Sequence, residues 1–91
     1  MEGTSVLDMQ AMGARVLNLR LRLNVSQRRL ATLAGLDVMT ISRLESGKKK
    51  RLEVEPLIRL AEVFNVSADY LLHRTDDPTP PRRPRKATPT T

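Results

Sequence analysis

Hydrophobic and polar positions alternate along this chain with a helical period, and the longest apolar stripe lies in its first quarter. The members of that stripe are Met9, Met12, Val16, Leu19 and Leu23. The stripe predicts helix 1 over residues 6–23. We expect Ser5 to be its N-cap and Asp8 to lie in its first turn, and Gly13 is a weak point inside the helix.

A second pattern overlaps the end of this helix. Residues 18–23 alternate strictly between a polar residue and leucine, which is typical of a strand. We favour the helix, because the apolar stripe begins upstream at Met9 and because leucine and arginine are strong helix formers.

Leu17 and Leu21 lie roughly opposite the stripe when each residue advances by about 100° around the helix. In one interpretation, which we favour, they pack under the N-terminal arm or under helix 5. In the other, they form a contact surface for another protein, because paired exposed leucines tend to be covered.

Two short helices follow. Ser26 and Asp37 are good N-cap residues for helices 2 and 3, and Gly35 stands where a helix commonly ends in a left-handed residue. Helix 3 is predicted over residues 38–45. The apolar positions are Leu30, Ala31, Leu33 and Ala34 in helix 2, and Ile41 and Leu44 in helix 3.

Two further helices complete the predicted domain. Helix 4 is expected over residues 55–64, where Pro56 is tolerated because it lies in the first turn. Ser67 is the expected cap of a short helix 5. The apolar positions are Leu57, Leu60, Ala61 and Phe64 in helix 4, and Tyr70, Leu71 and Leu72 in helix 5.

Composition limits the class of protein. A chain of 91 residues allows one small domain. The absence of cysteine excludes disulfides and thiolate metal sites, and His73 is the only imidazole, so neither a structural zinc site nor a nucleophile–base pair is expected. We expect no enzyme activity and no cofactor. No apolar run approaches the roughly 20 residues that span a bilayer, and no signal peptide is visible, so we expect a cytoplasmic protein without membrane contact.

The composition changes at Thr75. Residues 75–91 contain five of the six prolines and few apolar residues, which predicts a disordered basic tail after a domain over residues 1–74. Four basic and two acidic residues in this tail leave +4 of the net charge of +6 to the rest of the chain. A basic folded part favours a polyanionic partner. For the tail we favour a solvated linker over a DNA-grazing arm or a P-x-x-P ligand.

The five residues Gln27, Ala31, Gly35, Ile41 and Leu44 fall at the spacing of the Cro/cI-type (XRE-like) helix-turn-helix repressors. The chain resembles that family over residues 13–73. The resemblance implies an all-α, five-helix, lambda-repressor-like DNA-binding domain, with the helix-turn-helix at helices 2 and 3.

The resemblance also implies that helix 3 enters the major groove of double-stranded DNA. The candidate base contacts on its outward side are Val38, Met39, Thr40, Ser42 and Arg43. Arg43 can bond to guanine O6 and N7, and the apolar groups suit thymine methyls. Family members often carry amides at the positions of Val38 and Met39, and Ser or Thr at that of Asp37, so these positions are departures.

Docking on the DNA backbone is assigned to a second set of residues. The candidate phosphate contacts are Gln27, Arg28, Ser46, Lys48, Lys49, Lys50 and Arg51. By resemblance, the Gln27 side chain clamps a phosphate, which fixes the position of the protein rather than the sequence that it reads. The basic loop after helix 3 is interpreted as a backbone contact because of where it lies.

Two further assignments concern structure and assembly. Glu45 lies about 70° from the inward centre of helix 3 and needs a partner, and the resemblance pairs it with Arg20. The family-based candidates for dimer contacts are Leu52, Val54, Ala68, Tyr70 and Leu71.

The sequence therefore predicts a sequence-specific DNA-binding transcriptional regulator, interpreted as a repressor that binds a palindromic operator as a homodimer. Two alternatives come from other classes. One is an antitoxin-like protein-interaction subunit that uses Leu17 and Leu21. The other is a non-specific architectural nucleic-acid binder, which the apolar Val38 and Met39 suggest.

Overall fold

The computed structural model describes residues 8–80, which fold into five α-helices and contain no strand. These helices are α1 (Met9–Leu23), α2 (Gln27–Ala34), α3 (Val38–Glu45), α4 (Val54–Phe64) and α5 (Ala68–Leu71). The predicted all-α, five-helix fold is confirmed, and the alternating stretch at residues 18–23 is helical. The predicted helix-turn-helix corresponds to α2 and α3.

The start of α1 differs from the prediction. Asp8 is the N-cap: its backbone is extended, and its carboxylate accepts a hydrogen bond of 3.0 Å from the amide of Ala11. The predicted start at residue 6, with Asp8 inside the first turn, is therefore wrong. Aspartate caps a helix as well as serine does, and Asp8 is the nearer cap to the apolar stripe. Ser5 lies outside the described residues.

The other predicted caps have mixed outcomes. The hydroxyl groups of Ser26 and Ser67 accept hydrogen bonds of 2.9 and 3.0 Å from the amides of residues 29 and 70. Asp37 occupies the N-cap position of α3, but its side chain makes no capping hydrogen bond, so its predicted capping role is wrong. Helix α4 begins at Val54, one residue earlier than predicted, and Pro56 lies in its first turn.

All five helices contribute to one hydrophobic core. Its buried members are Met12, Val16, Leu30, Ala31, Ala34, Ile41, Leu44, Leu60, Ala61, Phe64, Val66 and Leu71. Two expected core residues are exposed: Leu23 is the last residue of α1, and Leu33 lies at the outer side of α2. Leu57 is half-buried and packs against the core.

Gly13 is the point at which α1 crosses α3. The glycine is buried, and a Cβ atom at this position would overlap the carbonyl oxygen of Leu44 and touch Glu45 Cα. The expectation that Gly13 is only a weak point of helix 1 is therefore wrong. Its missing side chain lets the two backbones approach, which sets the position of α3 on the core.

A buried ion pair holds the same two helices together. Arg20 Nε lies 2.7 Å from Glu45 Oε2, and Arg20 Nη2 lies 3.0 Å from Oε1, so the pair is bidentate. Only 4% of the Glu45 side chain and 13% of the Arg20 side chain are exposed. The hydrogen bond with Glu45 raises the pKa of Arg20 above its usual value.

Two further hydrogen bonds tie the start of α2 and the turn before it to this pair. The Gln27 amide nitrogen donates to Glu45 Oε1 at 3.0 Å, and Arg20 Nη1 donates to the carbonyl oxygen of Val25 at 2.8 Å. Glu45 is therefore the shared acceptor that ties α1, the start of α2 and the end of α3 together.

The segment after α5 is not free of structure. Arg15 Nη1 donates to the carbonyl oxygens of Tyr70 and Thr75, at 2.8 and 3.5 Å, and its guanidinium lies 4.0 Å from the centre of the Tyr70 ring. The amide of Ser67 donates to the carbonyl oxygen of Pro78 at 3.0 Å. The expected loss of structure at Thr75 is therefore wrong for residues 75–80.

The remaining residues of the predicted tail, 81–91, lie outside the described residues. The structured segment has almost no apolar side chain, which is why composition alone predicted disorder at Thr75. Backbone carbonyl groups hold it instead, because Arg15 and Ser67 supply donors.

The crossing of α1 and α3 leads to a prediction for Gly13→Ala. The added methyl group has no space beside the Leu44 backbone, so we expect the free energy of unfolding to fall by about 1–3 kcal/mol or more. Urea denaturation followed by circular dichroism measures it. Asn18→Ala, on the exposed side of the same helix, is the control and should change stability little. Equal stability of the two variants would contradict the close crossing.

The ion pair leads to a prediction for Arg20→Ala. Glu45 remains buried without its charge partner, so we expect a loss of about 3–5 kcal/mol in unfolding free energy. Arg22→Ala removes an exposed arginine from the same helix and should cost little. Thermal and urea melts of the two variants provide the comparison, and a melt of Arg20→Ala that matches the unmodified chain would refute the assignment.

Candidate nucleic-acid interface

Helix α3 presents its outward side to solvent because its inward side is anchored. Ile41 and Leu44 are fully buried, and a rotation of about 100° per residue then directs Met39 and Arg43 away from the core. Met39 is 65% exposed. The five candidate base contacts all lie on or beside this face: Val38, Met39 and Arg43 are exposed, and Thr40 and Ser42 are half-buried at its edges.

The start of α2 offers hydrogen-bond donors near this face. Gln27 and Arg28 occupy the first two positions of α2, where backbone N–H groups have no acceptor within the helix. One N–H of the Gln27 amide is bonded to Glu45, and the amide has a second N–H. Glu45 thus holds the Gln27 side chain in place, and only the second N–H of its amide remains for the predicted phosphate contact.

The basic loop is connected directly to the end of α3. The backbone amides of Lys48 and Lys49 both donate to the carbonyl oxygen of Arg43, at 3.0 and 3.2 Å. Lys48, Lys50 and Arg51 are exposed, whereas Lys49 is half-buried. The loop therefore places its positive charge immediately beside the outward face of α3.

Ser46 has a different environment from the lysines. Its hydroxyl group donates to the carbonyl oxygen of Arg43 at 3.1 Å and so closes the end of α3. A phosphate oxygen needs a donor, and the hydroxyl proton of Ser46 is already engaged. A phosphate contact through this hydroxyl would have to replace the bond to Arg43, and it stays a prediction.

The start of α1 also borders the basic loop, which the sequence analysis did not anticipate. An open groove is lined by Asp8, Met9, Gln10, Gly47, Lys48, Lys49 and Lys50. A Cβ atom at Gly47 would lie 3.0 Å from Gln10 Cγ. No local pattern signals this contact, because it results from the crossing of α1 and α3 at Gly13.

The two candidate protein-contact surfaces lie on other helices. Leu21 is 60% exposed and Leu17 is half-buried, so the favoured interpretation that helix 5 covers Leu21 is wrong. The N-terminal arm lies outside the described residues. Within residues 8–80, Leu21 is thus an exposed position of α1.

Among the candidate dimer residues, Val54 is the most exposed, at 69%. Leu52, Ala68 and Tyr70 are half-buried. Leu71 is fully buried in the core, so the prediction that it contacts a second copy is wrong. Ile58 is exposed one turn after Val54. The sequence analysis missed it, although the spacing of four residues on α4 would have indicated it.

Within residues 8–80, no helix is long and apolar enough to cross a membrane. In the same part of the chain, no group of three or more His, Asp and Glu side chains could hold a metal ion. His73 is exposed, and its Nε2 lies 2.8 Å from the carbonyl oxygen of Ala11. The ring is thus used to join the end of α5 to α1.

Comparison with known proteins agrees with this geometry. Residues 16–71, more than half of the chain, match the helix-turn-helix family. No curated protein sequence matches the chain. The P22 c2 repressor, solved in complex with synthetic operator 9T in the presence of Tl+, is 32% identical with a TM-score of 0.64, and the match covers 69% of this chain and 94% of the repressor.

Two further solved structures are similar. The restriction-modification controller protein C.AhdI from Aeromonas hydrophila is 28% identical with a TM-score of 0.65, over 70% of this chain and 96% of the controller. The clp gene regulator ClgR from Corynebacterium glutamicum is 27% identical with a TM-score of 0.66, over 74% of this chain and 70% of the regulator. The chain therefore belongs to the helix-turn-helix family of Cro/cI-like, XRE-type proteins, and it is a DNA-binding transcriptional regulator rather than an enzyme.

Proposed function

We propose that this regulator is a sequence-specific repressor that binds a palindromic operator as a homodimer. The observation that carries the proposal is the outward face of α3, where the exposed Arg43 and Met39 stand over a fully buried Ile41 and Leu44. Such a face can enter the major groove without disturbing the core.

Base reading is assigned to this face. The Arg43 guanidinium has two parallel donors that match guanine O6 and N7. The side chains of Val38 and Met39 and the Thr40 methyl offer apolar surface to thymine methyl groups, and Ser42 can donate or accept. Because two of these positions lack the amides common in the family, we expect G·C and T·A pairs to dominate the recognised half-site.

Docking on the backbone is assigned to groups on both sides of α3. The free N–H groups at the start of α2 and the second N–H of Gln27 can bind one phosphate. Arg28, Lys48, Lys50 and Arg51 are exposed and supply long-range attraction. If about six phosphates are neutralised, the logarithm of the binding constant should fall with the logarithm of salt concentration at a slope of roughly −5.

The homodimer is assigned to the start of α4. Val54 and Ile58 are exposed and lie one turn apart, so a second copy of this patch can cover both through a two-fold axis. Among the further candidate contacts, all half-buried, Leu52 lies two residues before Val54 and Ala68 lines a groove together with Ile58. Tyr70 is a candidate from the family resemblance alone. For both copies of α3 to enter successive major grooves, the dimer must hold them about 34 Å apart, which is one turn of DNA.

The repressor role and the cytoplasmic location are further parts of this proposal. The P22 c2 protein is named a repressor, and a protein that occupies an operator blocks other proteins from it. We expect the protein to act in the cytoplasm.

A second candidate function follows from Leu21, which is 60% exposed. With Leu17 one turn earlier, it gives α1 an apolar face that a partner protein can cover. In that case the chain is the DNA-binding subunit of an antitoxin-like complex. Leu21→Glu would then abolish co-purification of the partner without changing DNA affinity.

Base reading is tested by selecting bound duplexes from a random pool, followed by titrations of the selected site. We expect a palindrome with half-sites about 10 bp apart. Arg43→Ala should weaken binding by about 1–3 kcal/mol and relax one position of the motif. Lys50→Ala should weaken binding to every sequence and reduce the salt slope by about 1.

The control for both variants is Arg22→Ala, which removes an exposed arginine on the side of α1 away from Arg20. It should leave the motif unchanged. If the unmodified protein enriches no motif and random DNA competes equally, the protein is a non-specific architectural binder and the proposal is wrong.

The dimer surface is tested with Val54→Glu, which places a carboxylate in the proposed contact. We expect sedimentation equilibrium to show a dimer for the unmodified protein and a monomer for the variant, with an unchanged helical circular dichroism spectrum because Val54 is exposed. Leu21→Glu is the matched control and should remain dimeric. A Val54→Glu dimer alongside a Leu21→Glu monomer would move the interface to α1.

A further inference from the structure

Asp37 is not among the proposed DNA contacts, but it has three properties that bear on DNA binding. It is exposed, it precedes the first residue of α3, and its carboxylate makes no capping hydrogen bond. No residue within 8–80 is seen to donate a hydrogen bond to this carboxylate or to form an ion pair with it. Arg59 of α4 reaches the turn that precedes Asp37, but its guanidinium bonds to Glu55 at 2.6 Å and to the Gly35 carbonyl oxygen at 3.4 Å.

When α3 docks on DNA, the Asp37 carboxylate needs a hydrogen-bond donor. The two residues that follow, Val38 and Met39, are exposed and apolar, so water is displaced around them when they contact DNA. A carboxylate that loses its water without gaining a donor is strongly unfavourable. Asp37 must therefore gain a donor when α3 docks, either from the N–H groups at the start of α3 or from the DNA.

The chemistry of DNA limits which donors are available. Phosphate oxygens are acceptors only and repel a carboxylate, so the DNA backbone cannot supply the donor that Asp37 needs. In the major groove the donors are the exocyclic amino groups, and cytosine N4 is the usual partner of an aspartate. An ionised carboxylate only accepts hydrogen bonds, which complements the donating Arg43 on the same helix.

We propose that Asp37 is a specificity-determining residue that accepts a hydrogen bond from cytosine N4 in the operator half-site. The inference rests on the proposed function, since it requires α3 to enter the major groove. Arg43 then selects a guanine and Asp37 selects a cytosine, so two of the discriminating contacts come from opposite ends of α3. The apolar Val38 and Met39 follow Asp37 directly in the sequence, and water is displaced where they contact DNA.

The test is selection from a random duplex pool with the unmodified protein, with Asp37→Asn and with Asp76→Asn. Asparagine is also a good N-cap, so the first variant should fold, and a thermal melt checks this. Because asparagine pairs with adenine N6 and N7, we expect one position per half-site to change from cytosine to adenine. Titrations should show a preference of about 5- to 150-fold for the matching base in each protein.

Asp76→Asn is the charge control: it removes one exposed carboxylate far along the chain from α3 and should keep the cytosine. If Asp37→Asn selects the unchanged motif and binds all duplexes more tightly, Asp37 faces a phosphate and the inference is overturned while the proposed function stands. If the unmodified protein enriches no motif at all, the proposed function itself fails.

Discussion

The bidentate ion pair between Arg20 and Glu45 is the interaction on which the rest of this domain depends. Glu45 is almost completely buried at the last position of α3, and it accepts hydrogen bonds from residues of α1 and of α2. A buried charge tolerates few geometries, because each oxygen must keep its donor. The pair therefore fixes the position of α3 relative to α1 and the start of α2.

The position of α3 explains how the functional groups come together. The glycine crossing at Gly13 brings α1 against the Leu44 backbone, and the carbonyl oxygen of Arg43 then receives the amides of the basic loop. One side of α3 packs against the core, and the other side is exposed and available for contact with DNA. Core packing and the proposed DNA contact thus use opposite sides of the same short helix.

The sequence predicted what depends on periodicity and local capping. Helical spacing was enough to find α3 and its buried Ile41 and Leu44, and the family resemblance supplied the pairing of Glu45. The sequence did not predict features that depend on a distant contact. Gly13 was expected to be a weak point of helix 1, but the Leu44 backbone lies against it. Loss of structure was expected at Thr75, but Arg15 donates a hydrogen bond to its carbonyl oxygen. The exposure of Leu21 and the missing capping hydrogen bond of Asp37 also could not be predicted from periodicity, because both depend on how the neighbouring elements pack.

The central claim is that the ion pair presents the outward face of α3 to DNA, and a titration followed by amide chemical shifts tests it most directly. The measurement adds a duplex carrying the selected site to uniformly nitrogen-15-labelled protein. We predict that the largest shifts fall at the start of α2, at residues 27–28, and along residues 38–43 of α3. Shifts centred on Leu21, with α3 unchanged, would contradict it.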